Sequence, residues 1–308
     1  TEQADGLLGS AAFVPTGAQY LHNQRLGKVR LNSQSVDIKY LFYLFNSGNY
    51  RARVRETAAG TKVKHTSPQK LLEIKAPFPP YIEQQAIAEA LVDVDGLIAG
   101  LDKLIAKKRA VKQAAMQQLL TGKTRLPGFE DGNGRGYKQT EIGLIPEDWD
   151  VKPLITVSTL NGRIGWQGLK QSEFNSNPDD PFLITGMNFK DGEIRWDEVY
   201  HIPMERYKIA PNIQLQSGYV LMTKDGTIGK LLYVDEIPYP GKASLNSHLL
   251  LFRPIGDQYV PKFLFYQLGF KPFLDHIELN KSGSTFFGIT QEAIGKYNAF
   301  LPSISEQT

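Results

Sequence analysis

From Glu83 to about Thr121 the apolar residues Ile87, Leu91, Val94, Ile98, Leu101, Ile105, Val111 and Leu119 recur mostly three or four positions apart. That is the period of one helical face. Pro79 and Pro80 precede the stretch and Gly122 follows it, supplying start and stop signals. Glu83, Glu89, Asp93 and Asp95 occupy its first half and Lys103, Lys107, Lys108, Arg109 and Lys112 its second, the order a helix dipole favours. At 1.5 Å per residue the helix is about 58 Å long, too long for the inside of one domain, so its apolar stripe calls for a partner helix. The alternative is packing against its own globular domain. Gly96 and Gly100 weaken it locally, and a bend or a close helix approach is expected there.

Beyond this helix, Pro127-Gly128 and Asp131-Gly132-Asn133-Gly134-Arg135-Gly136 form a glycine-rich stretch with little to bury, which reads as a linker over 125–143. From Trp149 to Pro302 the pattern changes to short β-type runs: Pro181 to Ile184, Tyr219 to Met222, Leu231 to Val234 and Leu249 to Phe252. Turn signals separate them, with helical stretches near Tyr259 to Leu268 and Gln291 to Lys296. The expected fold class is α+β, a mixed α/β domain joined to a long helix.

The sequence repeats itself. An offset of 223 residues pairs Asn23 with Asn246, Leu26 with Leu249, Arg30 with Arg253 and Lys39 with Lys262, and lays Leu41-Phe42-Tyr43 on Leu264-Phe265-Tyr266. It also pairs Gly60 with Gly283, Ala76 with Ala299, Pro79 with Pro302, Glu83 with Glu306 and Gln84 with Gln307. Nearer the start, Asp5-Gly6-Leu7-Leu8-Gly9 matches Asp225-Gly226-Thr227-Ile228-Gly229 at an offset of 220. Residues 1–85 thus echo the tail of a unit that runs to Thr308, and the chain, which starts at Thr1, is expected to be part of a longer one with two whole periods.

Composition narrows the class. The 308 residues suit two globular units, or one plus an extended element. With 41% hydrophobic and 22% charged residues and a formal net charge of +3, the chain reads as neither disordered nor uniformly basic. It contains no cysteine, which excludes a disulfide framework, a thiolate zinc site and a cysteine nucleophile, and fits a reducing cytoplasm. Its apolar runs fall far short of the roughly 20 residues of a membrane span, and no signal-peptide pattern opens the sequence.

Enzyme signatures fail one by one. Phe78-Pro79-Pro80-Tyr81 resembles the Pro-Pro-Tyr element of amino-methyltransferases, but phenylalanine stands where a side chain must bind the target amine. Gly122-Lys123-Thr124 lacks the upstream glycine of a phosphate loop and follows a helix rather than a strand. The five histidines (22, 65, 201, 248, 276) have no metal-ligand spacing, and nothing resembles a serine elbow or paired catalytic carboxylates. No cofactor site of its own is expected.

What remains are basic, amide and aromatic residues in turn-rich positions. Arg163, Trp166, Gln167 and Lys170 stand on what reads as a flexible loop, joined by Lys224, by Asn246 and His248, and by Lys281, Ser284 and Thr285. In the first copy Asn23, Arg25, Lys62 and Lys64 occupy comparable turns. Arg, Lys, Gln and Asn suit base edges, while Ser, Thr and main-chain amides hold phosphates. The basic character recurs between the copies while the residues change, as in a reader that keeps its frame and varies its contacts. The structural alternative is that any one of these is merely solvated.

Three strings carry a family resemblance: Pro79 to Ala88 opening the long helix, Met116-Gln117-Gln118-Leu119-Leu120-Thr121-Gly122-Lys123-Thr124-Arg125-Leu126-Pro127 closing it, and Glu141-Ile142-Gly143-Leu144-Ile145-Pro146-Glu147-Asp148-Trp149 opening the next domain. Together they resemble the DNA-specificity (S) subunit of Type I restriction-modification systems, and the resemblance covers the whole chain. It implies two target-recognition domains, each reading half of a bipartite site, joined by long conserved helices that pair as an antiparallel coiled coil. By that resemblance 1–78 is the C-terminal part of a first recognition domain and 79–124 the central helix. Residues 125–143 are a linker, 144–302 a second recognition domain and 303–308 the start of the distal helix. The implied partners are double-stranded DNA, two methyltransferase (M) subunits that use S-adenosylmethionine to methylate adenine, and restriction/translocase (R) subunits that use ATP and Mg. The S subunit itself carries no chemistry. Two other classes stay open: the DNA-reading part of a fused restriction or methylation enzyme, and a coiled-coil scaffold without a DNA role.

Overall fold

The computed structural model describes residues 6–17, 19–60, 63–129, 136–141, 143–164, 167–190, 192–284 and 287–308. The chain divides into two compact units, Thr1–Arg109 and Ala110–Thr308.

In the first unit, helix α1 (Ile38–Asn46) starts at Asp37, whose side chain accepts the N–H groups of Lys39 and Tyr40, satisfying donors that an uncapped helix leaves unpaired. Ser47 caps α2 (Gly48–Glu56) in the same way, and Ser67 caps α3 (Pro68–Leu72). Leu8, Tyr50 and Val54 form a small buried core with Phe45, Ala58, Leu71, Ile74 and Ala76 against it. Helix α4 (Tyr81–Leu119) begins in this unit and ends in the second. Only Gln84 and Ala88 of its residues are buried; Val94, Leu97, Ile98, Leu101 and Ile105 are exposed. The expected apolar stripe is therefore uncovered along its length, and added side-chain atoms at Gly96 or Gly100 would meet open space.

The second unit opens with a hairpin of β1 (Tyr137–Thr140) and β2 (Gly143–Pro146), followed by β3 (Asp150–Pro153), α5 (Leu154–Val157) and β4 (Ser158–Asn161). Next come β5 (Phe182–Ile184), β6 (Phe189–Lys190), β7 (Glu193–Ile194), β8 (Tyr200–His201) and α6 (Met204–Lys208). Then follow β9 (Val220–Thr223), β10 (Leu231–Tyr233), β11 (Ala243–Leu245) and β12 (Leu249–Pro254). The C-terminal part holds α7 (Pro261–Leu268), α8 (Lys271–Asn280), α9 (Gln291–Gly295), β13 (Asn298–Leu301) and α10 (Ile304–Gln307). The central sheet is antiparallel in the order β10-β9-β12-β4, and a second sheet runs β11-β5-β8.

The run Leu249 to Phe252 is apolar throughout because both faces of its strand are covered. Leu249 and Leu251 face a core shared with Ile184, Leu221, Ala243 and Leu245, while Leu250 and Phe252 face Leu264, Leu268, Phe273 and Ile294. Successive side chains point to opposite faces of a strand, so a sheet held between helices and a second sheet needs no polar alternation.

The 223-residue offset holds helix by helix. Helices α1, α2, α3 and α4 start at residues 38, 48, 68 and 81, and α7, α8, α9 and α10 at 261, 271, 291 and 304. The bridge Ala59–His65 has its counterpart in Ser282–Gly288. At the 220 offset, Gly9 and Gly229 both have positive φ, and a Cβ there would meet Val54 in one copy and Ile277 in the other, themselves 223 positions apart.

One expectation changes. The 125–143 segment is ordered at both its described ends: Arg125 is buried in ion pairs with Asp148 and Glu306, and Tyr137–Thr140 forms a strand. Residues 26–31, counterparts of β12, form no strand, and Leu26 is 64% exposed where Leu249 is 0%. A strand needs neighbours for its main-chain groups. Those of β12 are β9 and β4, and no strand lies among the described residues of the first unit.

Candidate nucleic-acid interface

Three turns at one edge of the second unit are joined through the main chain. Lys224 N–H donates to the His248 carbonyl (3.0 Å), and the Lys224 carbonyl accepts from Ile289 N–H (2.9 Å). Gly226 N–H donates to Phe287 O (2.9 Å), and Ser282 and Gly288 exchange two bonds of 2.9 Å. The β9–β10 turn is closed from within by Thr223, whose hydroxyl donates to Thr227 O and accepts from Lys230 N–H. Gly226 and Gly229 supply the positive φ angles this turn requires. A platform stitched by main-chain bonds keeps its shape while its side chains vary.

On that platform the structure brings together Lys224, Asn246, His248, Lys281 and Ser284. Asn246 Oδ1 accepts the His248 N–H (3.1 Å), closing a local turn. His248 Nδ1 bonds Asp225 Oδ1 at 2.6 Å, with the imidazole 55% and the carboxylate 18% exposed. Lys281 pairs with Glu278 at 2.6 Å and lies over the Phe287 ring at 4.9 Å. Ser284 is exposed and Lys224 half-buried.

Arg163 and Gln167 correct the expectation of a flexible reading loop. Both are buried, at 6% and 2% exposure. Arg163 donates from Nε to Leu245 O, from one terminal nitrogen to Gln167 O and from the other to Ser244 Oγ, at 2.9, 3.0 and 3.0 Å. Gln167 Nε2 donates to Ile209 O and Asn212 Oδ1, and its Oε1 accepts from Ile164 N–H. Burial, with Arg206 nearby, pushes the Arg163 guanidinium down to about 10. These side chains brace the segment from inside instead of offering donors to a ligand, and Arg163 fastens it to the end of β11, beside Asn246. Lys170 is exposed, and its N–H donates to Glu173.

In the first unit Asn23, Arg25 and Lys64 are exposed. Asn23 Oδ1 accepts the Arg25 N–H (2.8 Å), the same turn that Asn246 makes with His248 one repeat later. Trp166, Lys62 and Thr285 lie outside the described residues. The residue missed as a contributor is Asp225, the partner of His248; its signal was the recurring Asp-Gly string at 5–6 and 225–226.

Among the described residues no His, Asp and Glu side chains gather as a metal site, and no helix is long and apolar enough to cross a membrane.

With this geometry in hand, comparison with known proteins gives a consistent picture. Residues 3–107 and 146–308 match the family described as Type I restriction modification DNA specificity domain. The chain is similar to the specificity subunit of the Type I restriction enzyme MjaVIII of Methanocaldococcus jannaschii, 29% identical over 69% of this chain and 47% of the relative. It is 26% identical to the putative MjaX specificity subunit of the same organism, over 93% of this chain and 63% of the relative. Among solved structures, the Type I restriction-modification S subunit from M. genitalium shares the fold with a TM-score of 0.54 at 15% identity, covering 89% of this chain and 63% of that one. The chain thus spans between about half and under two thirds of the proteins it matches.

Proposed function

The chain belongs to the family of Type I restriction modification DNA specificity domains, and from that premise we propose that it reads DNA sequence for a restriction-modification complex. Each repeat serves one half of a bipartite target. The chain itself performs no catalysis and binds no cofactor. Two methyltransferase subunits using S-adenosylmethionine, and ATP-dependent restriction subunits, supply the chemistry in the cytoplasm, and α4 pairs with a second copy of the long helix in an antiparallel coiled coil.

The observation that carries this reading is the repeated frame with changing basic side chains: the Asn23–Arg25 turn in one copy and the Asn246–His248 turn in the other. A frame that stays while its exposed residues change suits a protein that must present different base-edge contacts from one scaffold. The exposed stripe of α4 supports the helix pairing, because apolar residues at helical spacing gain by covering one another. A net charge of only +3 leaves part of the phosphate neutralisation to partner subunits.

The test is reconstitution with the methyltransferase partners, followed by mapping of methylated adenines on a randomised DNA library. A single two-part motif is the expected outcome. Methylation without sequence preference, or by this chain alone, overturns the reading.

A further inference from the structure

Lys224, Lys281 and His248 are basic side chains of the three-turn platform, and they are held differently. Lys281 already answers Glu278 and the face of Phe287. A lysine is a compact charge on a flexible stem, suited to phosphate. His248 is held at two points: Asn246 fixes its main chain, and Asp225 fixes its ring. An ionised carboxylate only accepts hydrogen bonds, so Nδ1 carries the proton toward Asp225. The free ring nitrogen is Nε2, which makes no hydrogen bond among the described residues. A ring fixed in orientation and tautomer loses little further freedom on binding.

The repeat adds an independent observation. One period earlier, the same asparagine turn holds Arg25 where His248 stands. The frame is retained and the basic residue on it is exchanged, which a purely structural histidine would not require.

We propose that His248 is a specificity-determining residue of the second unit, presenting Nε2 to one base edge in the major groove, with Asp225 as its positioning residue. The inference rests on the DNA-reading function above and assigns the contact that function needs. Lys224, on the same turn as Asp225, serves the adjoining phosphates.

The experiment measures binding by the complex with its methyltransferase partners, using DNA varied one base pair at a time in the second half-site. The complexes carry the unaltered chain, His248→Ala, His248→Gln, Asp225→Ala or Lys224→Ala. For His248→Ala, discrimination at one base pair should fall about tenfold while the other positions keep theirs. Asp225→Ala should relax the same base pair to a smaller degree, and Lys224→Ala should weaken all sequences alike. His248→Gln, which keeps a polar side chain, should shift the preference at that one base pair. An unchanged profile in both histidine variants overturns the proposal, as does an even loss across all sequences. If the unaltered complex prefers no sequence, the function itself fails, a result distinct from a normal profile that His248 does not influence.

Discussion

Gln84 and Gln307 stand 223 positions apart and have two hydrogen bonds in common. Each Oε1 accepts the main-chain N–H of the residue just before a helix, Asp37 (2.9 Å) in one copy and Val260 (2.8 Å) in the other. Each Nε2 donates to a proline carbonyl five residues back, Pro79 and Pro302, at 2.8 Å. Both amides are buried and lie in the first turn of α4 and of α10. Gln84 and Gln307 thus fasten the start of a helix to the helical bundle before it.

Leucine at either glutamine takes the side-chain partner from a half-buried N–H and from a proline carbonyl, a loss of about 1–3 kcal/mol. Urea denaturation should show a shift for both Gln84→Leu and Gln307→Leu, larger for Gln84→Leu because Gln84 Nε2 also donates to the Ser35 carbonyl (3.1 Å). Unaltered stability in both would contradict a structural role for the amides.

Arg125 spans Asp148 and Glu306, with both Arg125 and Glu306 side chains under a tenth exposed; the Glu306 bond holds the guanidinium's proton more firmly than usual. Trp149 Nε1 adds a donor to the same glutamate. Arg125→Met strands a buried carboxylate and should cost about 3–5 kcal/mol. Adding Glu306→Gln should recover part of that loss in a double-mutant cycle; simple additivity of the two changes would show that the pair is not coupled.

Leu264 is fully buried, and its replacement by alanine should lower stability by about 2–5 kcal/mol without altering which bases are preferred. A changed preference profile from this variant would mean that core packing, and not the turn residues, sets specificity.

Under the proposed function, deleting one helical turn from α4 removes about four residues and 6 Å. The tolerated gap between half-sites should then shorten by about one to two base pairs, at 3.4 Å each. Methylation mapping of the complex reads the gap directly, and an unchanged gap rejects the helix as its ruler.

By itself the sequence determined the repeat, the long helix, and β5, β9, β10, β12, α7 and α9 to within about two residues, but gave no sign of α8 or of β3, β4, β11 and β13. These depend on local periodicity and capping residues, and the 223-residue offset carries the helices from one copy to the other. Tertiary structure alone decided which polar residues are exposed. Arg163 and Gln167 read as solvent-facing from their glycine-rich surroundings, yet their partners Ser244, Leu245, Ile209 and Asn212 lie more than 40 positions away. His248 acquires its orientation from Asp225, 23 residues earlier, and Arg125 meets Glu306 across 181. Residues 26–31 share a leucine and an arginine with β12 but form no strand, because a strand is completed by its neighbours and a helix largely by its own chain.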